Sequence, residues 1–159
     1  ETTVEVPSKT TLGLGIGKDR NWFAGLEYSN QDMSQFRNDF LAVNNATYTA
    51  ASTLKVGGYY VPDYAAINGI YNRITYRAGF RMENTGLLIE GDELQNKVVS
   101  LGFGMPIGST ANDRFSNLNI GLELGKRGTS TSTLVDEHYF GLNVGLSLND
   151  RWFVKRRIN

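Results

Sequence analysis

At 159 residues the chain is one domain's worth, and sixteen acidic against sixteen basic side chains leave no formal net charge at pH 7. That balance lacks the basic face of a nucleic-acid binder, and the absence of cysteine excludes disulfides and thiolate sites. Eighteen glycines, eight tyrosines and eight phenylalanines against three prolines favour an all-β chain. The longest nearly apolar run, residues 98–108, is too short for a spanning helix, which needs roughly 20 apolar residues; a β-barrel is the membrane architecture such a profile permits.

The chain opens on Glu1-Thr2-Thr3-Val4, with no charged and then apolar leader, and reads as truncated. A first strand is predicted near 9–17, where Leu12, Leu14 and Ile16 alternate with Gly13, Gly15 and Gly17. After the short polar turn 18–21, a second strand near 22–29 sets Trp22, Ala24, Leu26 and Tyr28 against Phe23, Gly25 and Glu27. Alternation is lost in the polar segment 29–45. It returns near 48–61, with Leu54, Val56 and Tyr60 opposite Thr53, Lys55 and Tyr59, before a connection of turn residues at 62–72.

The fourth strand, near 73–85, has the sharpest contrast: Ile74, Tyr76, Ala78, Phe80 and Met82 against Thr75, Arg77, Gly79, Arg81 and Glu83. A turn centred on Gly91-Asp92 leads to a fifth strand near 95–107, with Val99, Leu101, Phe103, Met105 and Ile107 on one side and Ser100, Gly102 and Gly104 on the other. The sixth, near 116–127, alternates Leu118, Ile120, Leu122 and Leu124 with Asn119, Gly121, Glu123 and Gly125, and ends on Arg127. The seventh, near 138–148, alternates Phe140, Leu142, Val144, Leu146 and Leu148 with Gly141, Asn143, Gly145 and Ser147, and leaves a tail at 149–159.

Side chains of a strand point to opposite faces with period two, so each strand has one apolar face and one of polar groups and glycine. A soluble sandwich would bury the leucine face and place Lys, Glu and Thr toward water, whereas small residues suit a crowded or curved inner wall. The fold class expected is an antiparallel transmembrane β-barrel of about seven strands in a single segment, 1–159, in a bacterial outer membrane. Leu118, Ile120, Leu122, Leu124, Leu142, Val144 and Leu146 are then lipid-facing. Glu27, Lys55, Arg77, Arg81, Glu83, Asn119, Glu123, Arg127 and Asn143 are lumen-facing, as a solute filter or as a paired network that props the wall; the balance of acids and bases favours the network. Trp22, Tyr28, Tyr60, Tyr76, Trp152 and Phe153 fall near predicted strand ends, as interfacial aromatic girdles do.

Barrels of this kind place short turns in the periplasm, longer loops outside, and end their last strand in the periplasm. Turns 18–21, 62–72 and 108–114 and the tail are then periplasmic, and 29–45, the Gly91 hairpin and 128–137 are outside. Seven strands is an odd count, and two raw edges in lipid are forbidden without a partner. The expected partners are therefore the lipid bilayer and an N-terminal half of the barrel, in the same or a separate chain; none is a nucleic acid.

No motif carries catalysis. Gly13-x-Gly15-x-Gly17-Lys18 imitates a phosphate loop, but Asp19-Arg20-Asn21-Trp22 begins another strand where a helix N-terminus would be needed. His138 is the only histidine and lacks partners for a metal site or a Ser-His pair, so no cofactor is expected. Asn45-Ala46-Thr47 matches a glycosylation acceptor that a bacterial setting makes irrelevant.

The ending Gly141-Leu142-Asn143-Val144-Gly145-Leu146-Ser147-Leu148 with Asn149-Asp150-Arg151-Trp152-Phe153, together with Arg73-Ile74-Thr75-Tyr76-Arg77-Ala78-Gly79-Phe80 and the 117–129 strand, resembles the C-terminal half of Bacteroidota outer-membrane proteins related to the FadL long-chain fatty-acid transporters. The resemblance covers most of the chain from Pro7 onward and implies a larger barrel that passes hydrophobic small molecules, without enzymatic activity. Some relatives in that phylum serve instead as subunits of outer-membrane assembly or secretion complexes. The alternative expectation is thus a non-transporting barrel subunit whose partners are other members of such a complex.

Overall fold

The computed structural model describes residues 7–33, 46–66, 69–107, 116–129 and 136–147. They form one antiparallel sheet: β1 (Lys9–Lys18), β2 (Trp22–Asp32), β3 (Ala46–Tyr48), β4 (Ala50–Tyr60), β5 (Thr75–Ile89), β6 (Asp92–Ile107), β7 (Ser116–Thr129) and β8 (Asp136–Ser147). The spatial order is β1-β2-β4-β5-β6-β7-β8, a meander in which sequence neighbours pair, with β3 set beside β5. The seven expected strands are thus the seven of the meander, and β3 is an addition. It arises because the expected 48–61 strand breaks at Thr49, whose N–H donates to the Gly86 carbonyl (2.7 Å).

Local chemistry explains the turns. Lys18 pairs with Trp22 across a three-residue loop in which Arg20 takes the left-handed conformation (φ 56°), the usual wide hairpin geometry. The second tight hairpin centres on Glu90-Gly91, one residue before the expected position. Both residues have positive φ (52° and 88°), as a two-residue turn matching the strand twist requires. The connection after β4 contains one helical turn, α1 (Ile70–Arg73). It is tied to the β1–β2 turn: the Val61 N–H donates to the Asn21 carbonyl (2.6 Å) and Asn21 Nδ2 to the Val61 carbonyl (3.1 Å). This end is the turn end; the Glu90-Gly91 hairpin marks the opposite, loop end.

Pairing in β5–β6 shifts between Asn84 and Leu88, where three β5 residues oppose one of β6. Thr85 Oγ1 donates to the Leu94 carbonyl (2.9 Å) and accepts from the Leu87 N–H (3.3 Å), filling the gap in the ladder. The two extra residues are an even number, so the side-chain parity of β5 survives the bulge.

The open sheet has almost no packed apolar core among the described residues. Buried hydrophobic side chains among the described residues are confined to Val61, Ile74 and Val98, while Ser29 and Asn96 on the polar face are 2% and 4% exposed. The exposed large hydrophobics, from Leu14 at 80% to Phe103 at 36%, lie on the opposite face, apart from Phe23 and from Tyr64, Ile70 and Tyr71 at the turn end. β1 and β8 are the two ends of the strand order and the sheet does not close.

Candidate functional site

The register assembles each face into rows that run from strand to strand. On the apolar face one row is Leu14, Leu26, Val56, Phe80, Val99, Leu124 and Phe140; the next, turnward, is Ile16, Ala24, Gly58, Ala78, Leu101, Leu122 and Leu142. The row below is aromatic on four adjacent strands: Trp22, Tyr60, Tyr76 and Phe103, continuing as Ile120 and Val144. Tyr76 and Phe103 pack edge to face, with ring centroids 6.0 Å apart. Leu118 and Leu146 form a further row with Met105. The seven residues expected toward lipid therefore lie together on this face.

The remaining aromatic side chains of the expected girdles lie elsewhere. Tyr28 lies three rows loopward of Trp22, between Leu12 and Leu54, and β2 continues past it to Asp32. Trp152 and Phe153 lie outside the described residues, as do most of 29–45 and 128–137 and all of 108–114 and the 149–159 tail.

The polar face holds all nine residues expected there, and pairing brings several of them together. Lys55 Nζ donates to Glu27 Oε1 at 2.8 Å, Arg77 donates to Asn119 Oδ1 at 2.9 Å, and the Arg81 guanidinium lies 3.8 Å from Glu123 Oε1. Glu83 and Arg127 sit in one row, flanking Asn96. Asn143 is exposed opposite Gly121. The paired-network expectation describes Glu27, Lys55, Arg81 and Glu123.

Two side chains that sequence reasoning passed over complete this face. Tyr139 lies across Gly125, where a Cβ would collide with the ring, and its hydroxyl donates to Asn96 Oδ1 (3.2 Å) on the strand beyond. Phe23 lies over Gly15 and Gly25, in a row that continues as Gly57 and Gly79: a Cβ at Gly15 would meet its ring at 2.6 Å and one at Gly25 at 3.0 Å, and the ring stacks on Tyr59 with centroids 6.0 Å apart. The signal was available, since glycine opposite an aromatic on the same parity marks a ring lying flat on the neighbouring strand.

Above this glycine floor is a concavity of about 620 Å³ bordered by Glu27, Lys55, Arg81, Ser100 and Glu123, and beside it one of about 460 Å³ around Arg77, Asn119 and Asn143. Their linings mix these charged and amide groups with glycine and with apolar side chains such as Phe23 and Val98, and so select neither a polar nor an apolar occupant. No three His, Cys, Asp or Glu side chains converge among the described residues.

An open antiparallel sheet with one apolar and one polar face defines the class, an all-β wall. The family model for BamG matches residues 1–159, and the chain belongs to the BamG family. Neither the curated proteins nor the solved structures give a match. Membership in this family points to outer-membrane assembly, the second of the two sequence expectations, and nothing in the comparisons supports the FadL likeness.

Proposed function

We propose that the chain is a non-enzymatic, structural subunit of an outer-membrane protein assembly complex in bacteria, embedded as part of a β-barrel wall. The observation that carries the reading is the BamG match along the whole chain. The exposed apolar face supports the embedding: a contiguous face of leucine, valine and aromatic side chains would aggregate in water unless lipid or another protein covered it. The family match favours a docking role over passage of hydrophobic molecules.

In lipid the unpaired backbone groups of β1 and β8 would each cost several kcal/mol, on the order expected for unsatisfied polar groups in hydrocarbon. A further segment, in the same polypeptide or a separate one, pairs with both edges and completes the barrel.

The test is isolation from native outer membranes in mild detergent. The reading expects a stable complex containing the barrel-assembly subunits, and liposomes bearing the purified protein that take up neither fatty acid nor hydrocarbon. A protein that always purifies alone, or one that moves such cargo, overturns it.

A further inference from the structure

The apolar band ends abruptly on three adjacent strands. Loopward of Val99, Leu124 and Phe140, the next residues on the same face are Lys97, Lys126 and His138, which the register sets directly opposite one another. All three are exposed. In the same row on the other half of the sheet stand Leu12, Tyr28, Leu54 and Met82, so the cationic patch is confined to β6–β8.

Like charges directly opposite in a sheet destabilise the pair. Asp136 compensates part of the patch, with Oδ1 3.1 Å from Lys126 Nζ and 3.5 Å from His138 Nε2. One carboxylate against two lysines leaves a net positive site, and β7 separates Asp136 from Lys97 on β6. A phosphate monoester carries about −1.5 to −2 charge and three acceptor oxygens, enough to bridge two ammonium groups on neighbouring strands.

We propose that Lys97 and Lys126, assisted by His138, bind the phosphate of an anionic acylated lipid in the leaflet on the loop side, its acyl chains lying along Val99, Leu124, Phe140 and the leucines below. The position favours a lipid over free phosphate, because the cations stand at the edge of an apolar band, where a headgroup meets its tails. This rests on the membrane-embedded reading above, and the experiment separates the two.

The full native chain with its partners is placed in nanodiscs containing phosphorylated lipid A or the same lipid enzymatically dephosphorylated, and retained lipid is measured by native mass spectrometry. Tryptophan quenching by brominated acyl chains reports insertion independently. The phosphorylated form is expected to be retained preferentially, Lys97→Gln with Lys126→Gln to weaken retention roughly 30-fold, and Lys97→Arg with Lys126→Arg to preserve it. Lys18→Gln, at the turn end, leaves retention unchanged, and millimolar inorganic phosphate does not displace the lipid. Equal retention of both lipids, indifference to the Gln pair, or displacement by inorganic phosphate in a protein that inserts normally overturns the inference. Absence of quenching overturns the embedded reading itself.

Discussion

Residues on this sheet are chosen by which face they meet, and substitutions at one parity should behave unlike those at the other. Leu122 stands between Leu101 and Leu142 on the apolar face, so Leu122→Arg is expected to cost roughly 2–4 kcal/mol of stability in the membrane. Asn119 is an imperfect comparison, since it accepts the Arg77 hydrogen bond and an arginine there would both lose that bond and repel its neighbour. Asn143→Arg, exposed on the polar face, should change stability by no more than about 0.5 kcal/mol. Equal assembly of Leu122→Arg and Asn143→Arg, read by heat-modifiable migration in gels, would contradict the two-faced assignment. Glycines divide in the same way. Gly125→Ala drives a Cβ into the Tyr139 ring and should break the Tyr139–Asn96 bond at a cost of about 1–3 kcal/mol, whereas a Cβ at Gly145 meets nothing within 4 Å and should be tolerated, as thermal unfolding in detergent would measure.

Among the elements, period-two alternation made the seven meander strands legible because each of them carries it. Val99 to Ile107 on β6 and Leu118 to Leu124 on β7 are assigned to their faces by sequence alone. What alternation cannot convey is pairing that ends or shifts. β3 is three residues long, too short for a periodic signal, and it exists because β5 outlasts β4 and offers a free edge at Leu87–Ile89. The bulge that shapes this edge depends on Gly86, whose φ of +72° disfavours any side chain and whose Cβ would stand 2.7 Å from the Thr49 carbonyl. Gly86→Ala is therefore expected to release β3, lowering hydrogen-exchange protection at 46–48 while β6 and β7 keep theirs; unchanged protection would show that the bulge does not hold it. The full extent of β2 was hidden for a related reason, because the polar residues Asn30 to Asp32 mask its continuation past the expected end at 29. The Lys97, Lys126 and His138 row was likewise hidden, since no strand carries more than one of its members and only the register brings them together.

At the scale of the whole molecule the sheet is a wall with two ends. Cysteines introduced at Leu14 and Val144, in a chain that has none of its own, should not be joined by a short bismaleimide in the native membrane, whereas cysteines at the paired positions Leu122 and Leu142 should be. Joining of the first pair would mean that these strands close on themselves without a partner. The FadL likeness rested on strand and turn residues, which convey architecture but not cargo, and the family match supplies the association with outer-membrane assembly that those residues lack. The central claim, a sheet standing in the outer membrane with its leucine face to lipid, is tested most directly by a nitroxide scan through β7 and β8 in native membranes. The account predicts that labels at 118, 120, 122, 124, 142, 144 and 146 contact acyl chains while labels at 119, 121, 123, 143 and 145 contact water; equal lipid contact at both parities, or none at either, would contradict it.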